Sequence, residues 1–331
     1  MNSEEIVLLN ASDVRNLLSL DQCIVAVEQA FRLYGEGKAL PPGVLGMHTR
    51  GGGFHVKAGF LPLSRNYFAA KVNGNFPGNP EAFGLPTIQG IVVLCDAENG
   101  RPLAVMDSIE ITALRTAAAT AVAAKFLARQ DSEVATICGC GKQGRVQLEA
   151  LAAVRRLKKV FAYDKNEGQA IRFAQELADK LSISVIPVAD LATAARQSNI
   201  CVTCTTSREA LLGAAAVAPG TFIAAVGADN PEKQELHPDL MVQAKIVVDL
   251  LEQCASIGDL HHAIEAGKVT RSDVHAELGE VVAGKKPGRT SHQEIIIFDS
   301  TGTALQDVAA AALAYENAKR QGCGVRLDFA A

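Results

Sequence analysis

The stretch Ala135-Thr-Ile-Cys-Gly-Cys-Gly-Lys-Gln-Gly-Arg145 decides the fold prediction, because an apolar run leads into the pattern G-x-G-x-x-G and then into helix-forming sequence. This order predicts a strand, a tight turn and a helix. Gly139 would let the chain reverse, Gly141 would let the backbone approach a pyrophosphate, and Gly144 would let the helix pack closely on the strand. The helix N-terminus would present free N–H groups to the phosphates. A purely structural glycine turn is the alternative.

A second apolar run, Lys159-Val-Phe-Ala-Tyr-Asp164, ends in an acid 25 residues after Gly139 (164 − 139 = 25). A carboxylate about 20 residues beyond the first glycine accepts hydrogen bonds from the ribose diol of NAD. The same charge repels the 2′-phosphate of NADP. Asp164 therefore favours NAD, while the neighbouring Lys165 leaves NADP possible.

The composition predicts a globular protein of two domains, because 331 residues exceed what most single hydrophobic cores contain. The formal net charge is −4 at pH 7 and no basic stripe occurs, which argues against nucleic acid and anionic membranes as partners. No apolar run approaches the ~20 residues needed to span a bilayer. The polar N-terminus, residues 1–5, shows no targeting signal. We expect a cytoplasmic protein.

The eight cysteines lie mostly in apolar runs, which predicts reduced core thiols. Cys201 and Cys204 have the C-x-x-C spacing, but no second cysteine or histidine pair completes a zinc site. The adjacent His261 and His262 point in different directions and make a poor metal pair. No metal site is predicted.

From residue 134 onward, apolar strands alternate with helices, which is typical of a parallel sheet covered on both faces. The predicted fold class is therefore α/β, with a Rossmann doubly wound sheet. The run Ser272–Ala283 is predicted as a helix in which His275 and Glu277 serve packing and capping. The predicted strands are 134–138, 159–163, 183–187, 199–204, 221–226, 245–250 and 294–298, and the other predicted helices are 143–156, 167–181, 190–197 and 304–320.

The first hundred residues differ from this pattern. Ser12 and Ser19 are predicted to cap two helices. Short alternating runs separated by glycine and proline then indicate an antiparallel sheet over residues 44–106, in a second, α+β domain. Its last two strands would flank the turn 96–100.

Two strands of this antiparallel sheet carry polar residues where a buried strand is normally apolar. His55 and Lys57 would share one face of the first strand, and Lys71 and Asn73 one face of the second, because side chains alternate along a strand. We predict that these residues line a site for an anionic substrate. A polar sheet face in water is the alternative.

Arg115 is predicted in the first turn of an alanine-rich helix that begins near Thr112. A cation there lies at the unfavourable end of the helix dipole, and the surrounding sequence is almost uncharged. Arg115 therefore predicts a fixed anionic partner, most simply a substrate carboxylate.

Ligands of open α/β sheets bind beyond the carboxyl ends of the strands. Asp229 follows the predicted strand 221–226 and is a candidate acid or base, with an Asx-turn role as the alternative. The candidate cofactor residues also follow strand ends, and they are Gly139, Gly141, Lys142, Gln143, Gly144, Asp164, Lys165, Thr205, Thr206, Gly227, Ser300 and Gly302.

Six motifs in order make the whole chain resemble the ornithine cyclodeaminase/μ-crystallin family and, within it, the archaeal alanine dehydrogenases. The motifs are Lys71-Val-Asn-Gly-Asn75, Ala113-Leu-Arg-Thr-Ala-Ala118, Gly139-Cys-Gly-Lys-Gln-Gly144, Gly227-Ala-Asp-Asn-Pro-Glu-Lys-Gln-Glu-Leu236, Asp273-Val-His-Ala-Glu-Leu-Gly-Glu280 and Phe298-Asp-Ser-Thr-Gly-Thr-Ala-Leu-Gln-Asp307.

The resemblance implies an NAD-binding Rossmann domain of residues 114–304 and a substrate-binding and dimerisation domain of residues 1–113 with 305–331, in a homodimer. It implies that Lys71 and Arg115 bind the substrate carboxylate and that Asp229 moves protons or activates water. The cyclodeaminases carry a substrate-binding glutamate in the strand before the Lys71 segment. Lys57 stands there in this chain, which counts against ornithine as the substrate.

The expected function is hydride transfer between NAD and the α-carbon of a small L-amino acid, or the reduction of a 2-imino acid. Lys71 and Asp229 are the predicted catalytic residues. The first alternative is cyclodeamination of ornithine to proline and ammonia. The second is a cofactor-binding protein without turnover.

Overall fold

The computed structural model describes residues 5–328. Residues 1–4, on which most of the targeting-signal prediction rests, lie outside the described residues. The chain divides into two compact units, which are residues 1–115 with 303–331 and residues 116–302. The chain passes from one unit to the other after residues 115 and 302, and each of these points lies two residues from the predicted domain boundary. Between residues 5 and 328, no helix combines the length and apolar character that a membrane crossing requires.

The first unit contains a seven-stranded sheet in the order β15-β1-β6-β5-β4-β3-β2. The strands pair antiparallel except β1 with β6, so the predicted antiparallel sheet is confirmed. In chain order, the elements up to residue 127 are β1 Glu5–Leu9, α1 Ala11–Leu17, α2 Leu20–Gly35, β2 Gly43–Thr49, β3 Gly52–Pro62, β4 Asn66–Asn75, α3 Asn79–Phe83, β5 Ile88–Asp96, β6 Pro102–Asp107 and α4 Ser108–Leu127.

Most of the elements that follow residue 127 alternate between strand and helix. They are β7 Val134–Cys138, α5 Lys142–Val154, β8 Lys159–Tyr163, α6 Glu167–Leu181, β9 Ser184–Pro187, α7 Leu191–Arg196, β10 Ile200–Thr203, β11 Phe222–Ala225, α8 Pro238–Gln243, β12 Lys245–Val248, α9 Leu251–Ile257, α10 Asp259–Glu265, β13 Val274–Glu277, α11 Leu278–Val282, β14 Ile296–Asp299, α12 Ala304–Gln321 and β15 Val325–Asp328, with short 3₁₀ turns at 214–216 and 271–273.

Helix α12 packs against α2, β3 and β4 and is buried along most of its length. Its alanines permit a close approach to the sheet. At Gly59 of β3, an added Cβ would lie 3.1 Å from the Cβ of Ala304, so glycine and alanine together set the spacing. The prediction that this last helix packs back on the first domain is confirmed.

Two sequence predictions of helix starts are wrong. Asn10, and not Ser12, caps α1, because its Oδ1 accepts hydrogen bonds from the N–H groups of Ser12 at 2.8 Å and Asp13 at 3.0 Å. The predicted cap at Ser19 is confirmed for α2.

The start of α4 near Thr112 is the second error. The helix begins at Ser108, since Oδ1 of Asp107 accepts hydrogen bonds from the N–H groups of Ile109 at 3.0 Å and Glu110 at 2.9 Å. Arg115 therefore lies about two turns into the helix, and the dipole argument for an anionic partner no longer applies to it.

The second unit is built on eight parallel strands in the order β13-β12-β14-β11-β10-β7-β8-β9. The predicted α/β fold with a doubly wound parallel sheet is confirmed. The strand order runs from β7 to β8 on one side and from β7 to β10 on the other. The carboxyl end of β7 is thus a topological switch point, where ligands of such sheets bind.

The predicted helix over Ser272–Ala283 is wrong for its first half. Residues 274–277 form β13, which pairs parallel with β12, and α11 covers only 278–282. Sheet pairing overrides the local helical pattern. Glu277 nevertheless caps α11, as predicted, and its Oε1 also accepts a hydrogen bond from Leu251 N at 2.8 Å.

The thiols of all eight cysteines are free. Cys201 is buried in β10, and Cys204 is half-buried just beyond that strand. Over the described part of the chain, no group of three His, Cys, Asp or Glu residues has a geometry that could hold a metal ion.

Candidate active site

The glycine turn after β7 has the geometry that a dinucleotide requires. Gly139 has φ +106°, a conformation that side chains rarely adopt. A Cβ on Gly144 would lie 2.0 Å from the carbonyl oxygen of Gly139, whereas one on Gly141 would meet no atom within 4 Å. Gly141 contributes no capping side chain to α5. The space beside Gly141, at the positive end of α5, is therefore open to a pyrophosphate.

The carboxylate of Asp164 lies beside this turn, at the end of β8. Its Oδ2 accepts a hydrogen bond from Cys140 N at 2.8 Å, and its Oδ1 accepts one from Asn166 N at 2.9 Å. These bonds orient the carboxylate, and each oxygen keeps a further lone pair for a ribose hydroxyl. Lys165 is exposed next to it. The residues present fit an NAD adenosine ribose.

A buried glutamate holds the loops that follow β10 and β11. Oε1 of Glu235 accepts hydrogen bonds from the N–H and the hydroxyl of Thr205 at 2.6 and 2.7 Å, and Oε2 accepts one from Gly227 N at 2.8 Å. Thr206, the next candidate residue, is exposed. Sequence reasoning quoted Glu235 within a motif but gave it no role.

The loop after β14 is held in a similar way. Oδ2 of Asp249 accepts hydrogen bonds from the hydroxyl of Ser300 at 2.9 Å and from Gly302 N at 2.7 Å. Asp249 is fully buried and was also missed, because it follows β12, about fifty residues earlier in the chain.

Asp229 lies in the loop after β11, as predicted. Its side chain is 52% exposed and forms an ion pair with Lys233 at 2.7 Å. A carboxylate in this position can accept a proton and exchange it with water.

The predicted cations of the first unit meet across paired strands. Lys57 of β3 lies directly opposite Lys71 of β4, and His55 lies opposite Asn73. Oδ1 of Asn73 accepts a hydrogen bond from the hydroxyl of Ser108 at 2.7 Å. The alternation of side chains puts the four residues on one face of the sheet.

Asp307 of α12 forms ion pairs with two cations of the first unit, Lys71 and Arg115. Nζ of Lys71 lies 2.8 Å from its Oδ2 and 3.0 Å from its Oδ1, and Nε of Arg115 donates to Oδ1 at 2.9 Å. Nη1 of Arg115 donates to Oε1 of Gln306 at 2.7 Å. The anionic partner expected for Arg115 therefore includes a carboxylate of the protein itself. We call Lys57, Lys71, Arg115 and Asp307 the cation cluster.

The cation cluster is buried, with at most 9% of any of its four residues exposed. Burial lowers the pKa of Lys71 to about 7, helped by the charges of Arg115 and Lys57 and opposed by that of Asp307. Burial alone would raise the pKa of Asp307, but Lys71 and Arg115 outweigh it and hold that pKa below its ordinary value.

Comparisons with known proteins agree with the predicted resemblance. A model of the ornithine cyclodeaminase/mu-crystallin family matches residues 4–322. The chain is 43% identical over 326 residues to an alanine dehydrogenase of Archaeoglobus fulgidus, covering 98% of this chain and 99% of that protein.

Two solved structures extend this agreement to the fold. An archaeal alanine dehydrogenase dimer with bound NAD superposes with a TM-score of 0.94 at 43% identity, covering 98% of this chain and 99% of that one. A Δ(1)-pyrroline-2-carboxylate reductase of Thermococcus litoralis, in complex with NADH and L-proline, superposes with a TM-score of 0.92 at 35% identity. The match covers 97% of this chain and 100% of that one. The predicted resemblance is confirmed, and the chain belongs to the ornithine cyclodeaminase/mu-crystallin family.

Proposed function

We propose that the protein is an NAD-dependent oxidoreductase that transfers hydride between the nicotinamide and the α-carbon of a small L-amino acid or its 2-imino acid. The cation cluster is the observation that carries this proposal. Lys57 and Lys71 are like charges placed directly opposite each other, an arrangement that is destabilising in a sheet. A carboxylate bound beside these two lysines and Arg115 would offset the repulsion between the like charges.

Relatives of this chain support the same class of reaction. They include an alanine dehydrogenase and a Δ(1)-pyrroline-2-carboxylate reductase, whose names specify an amino acid and a cyclic imino acid. The solved structures of such relatives carry NAD or NADH. Together with the glycine turn and Asp164, this favours NAD over NADP for this chain.

Lys71 and Arg115 would hold the substrate carboxylate and so fix the direction of its α-hydrogen, which is mainly a positioning effect. His55, Lys57 and Asn73 would line the same site. Bound NAD would supply the hydride acceptor. Asp229 would take the amine proton and release it to solvent, to which its side chain is 52% exposed. The regenerated carboxylate would then take a proton from the water that attacks the imine.

An assay of nicotinamide turnover tests the proposal. Formation of NADH would be measured with each L-amino acid, and consumption of NADH with pyruvate plus ammonia and with cyclic imino acids. Net turnover in either direction is expected. Conversion of ornithine to proline and ammonia without net NADH would establish cyclodeamination instead, and NADH binding without any turnover would establish a binding protein.

Lys71 predicts a pH dependence for carboxylate binding. Only the protonated amine attracts a carboxylate, and its pKa in the folded protein is about 7. We expect the Kd of propionate to rise as the pH increases above this value, by up to about tenfold per pH unit. Calorimetric titrations from about pH 6 to 9 would measure it. In K71M the remaining affinity for propionate should not fall as the pH rises above about 7. If the Kd of K71M depends on pH as it does in the wild type, Lys71 is not the group that binds the carboxylate.

We also propose a homodimer formed through the first unit. All seven residues of the edge strand β2 are exposed, including Val44, Leu45 and Met47 at 48–58%. A long apolar edge strand is normally covered by a partner. A second copy of this chain is the proposed occupant, in agreement with the related alanine dehydrogenase dimer.

The double variant L45K/M47K tests this interface. Two charges on one face of β2 should convert a dimer into a monomer in sedimentation velocity experiments, because a desolvated cation in the interface costs several kcal/mol, on the order of the binding energy of a weak dimer. V325K is the matched control, since Val325 is 65% exposed on β15, the other edge of the sheet. A monomeric wild-type protein would contradict the proposal.

A further inference from the structure

The carboxylate of Glu235 occupies a position that the proposed reaction does not explain. The residue is fully buried in the second unit, and its two oxygens accept hydrogen bonds from the loops of Thr205 and Gly227. Burying an ionisable group is unfavourable unless its hydrogen bonds are satisfied. Three donors at 2.6–2.8 Å provide that compensation.

Glu235 packs closely against the loop of Gly227. A Cβ on Gly227 would lie 2.4 Å from Oε1 of Glu235 and 2.5 Å from the carbonyl oxygen of Thr205. The carboxylate therefore contacts bare backbone, and glycine is required there by close approach. Two loops that are far apart in sequence are joined through one side chain.

The backbone of Glu235 is itself anchored on both sides. Its N–H and that of Leu236 donate to Oδ1 of Asp259, each at 2.8 Å. Its carbonyl oxygen accepts hydrogen bonds from Leu211 N at 2.7 Å and Leu212 N at 3.1 Å. A side chain on such a fixed backbone can hold in place the loops to which it is hydrogen-bonded.

The two loops follow the neighbouring parallel strands β10 and β11, at the carboxyl side of the sheet. Glycine-turn residues lie on the same side, at the end of β7, which pairs with β10. Burial raises the pKa of Glu235 above its ordinary value, and the hydrogen bonds from Thr205 and Gly227 oppose this shift.

We propose that Glu235 is a positioning residue of the cofactor site, whose buried carboxylate fixes the loops of Thr205 and Gly227 in the arrangement that binds NAD. This inference rests on the proposed NAD-dependent function. Glu235 acts through the two loops and does not need to contact the cofactor.

The variant E235Q tests the inference through the affinity for NADH, measured by NADH fluorescence anisotropy on protein shown to be folded by circular dichroism. The amide keeps the size of the side chain, but its NH₂ group must face one of the N–H donors. We expect the Kd of NADH to rise by about tenfold or more, as for the loss of a hydrogen bond to a charged group. The KM for NADH should rise more than kcat falls.

The matched control is E232Q, which removes a carboxylate from the exposed side of the same loop, where Glu232 pairs with Arg208. Its NADH affinity should equal that of the wild type. A folded E235Q that binds NADH as tightly as E232Q would overturn the inference. Failure of the wild type to bind NADH would instead overturn the proposed function, so the two failures are distinguishable.

A milder pair of variants decides the question if E235Q does not fold. T205V removes the hydroxyl that donates to Glu235, whereas T205S keeps it, and both retain the backbone hydrogen bond. T205V is expected to bind NADH at least about threefold more weakly than T205S. Equal affinities of these two variants would contradict the role of Glu235.

Discussion

Asp307→Asn is expected to lower the free energy of unfolding by about 3–5 kcal/mol, because it leaves Lys71 and Arg115 buried without their shared carboxylate. The buried ion pair contributes to stability only while both charges are present. Turnover should also fall sharply, since the two cations would no longer be held in place. Urea unfolding and steady-state assays would measure the two effects.

The double variant D307N/K71M separates charge from packing. Methionine retains much of the apolar stem of Lys71 and removes its charge, so the double variant should be more stable than D307N alone. D21N is the matched control, because Asp21 is an exposed acid on α2, a helix that packs against α12. Its effect should stay within about 0.5 kcal/mol. A D307N protein as stable as D21N would show that Asp307 does not hold the cluster.

The pH dependence of stability follows from the same cluster. Lys71 has a pKa of about 7 in the folded protein, below its ordinary value of 10.5. Between these values the unfolded chain binds a proton that the native state does not, so this residue makes stability rise with pH over that window. Asp307 has a lowered pKa, and its contribution is lost as the pH falls through that pKa.

Asp229→Asn is expected to reduce kcat by about 10³-fold, because a general base typically contributes 10²–10⁴-fold. The asparagine keeps the size of the side chain and removes its ability to take a proton. Binding of NADH should change little, since the glycine turn and Asp164 are untouched. Stopped-flow absorbance at the NADH band would measure the hydride step directly.

Two comparisons control for the ion pair of Asp229. K233M removes the partner at 2.7 Å but leaves the carboxylate, and its effect on kcat should be much smaller than that of D229N. E232Q removes a nearby exposed charge and should behave as the wild type. Full activity of D229N would assign the proton transfer to another group.

The parallel sheet was predictable because its strands are continuous apolar runs and its glycine turn has fixed spacing. Local signals failed where a tertiary contact decides the outcome. Capping by Asp107 starts α4 at Ser108, four residues before the expected start, and pairing with β12 draws residues 274–277 into a strand.

The cation cluster also shows that local sequence signals do not reveal tertiary contacts. The alternation of side chains predicted that His55 and Lys57 share one face of their strand and that Lys71 and Asn73 share one face of the next. The pairing of Lys57 with Lys71 became evident only from the strand register. Asp307 could not be paired with them from spacing, since it lies 236 residues beyond Lys71 and on a helix instead of a strand. The motif that ends in Asp307 was recognised in the sequence, but no local pattern indicated which residues Asp307 contacts.

The division of the chain has a consequence for the order in which the protein is made. Residues 116–302 emerge from the ribosome as a complete unit, while the first unit still lacks α12. Until Asp307 is synthesised, Lys71 and Arg115 have no access to their shared carboxylate. The core of the first unit can therefore be completed only after the second unit has been synthesised.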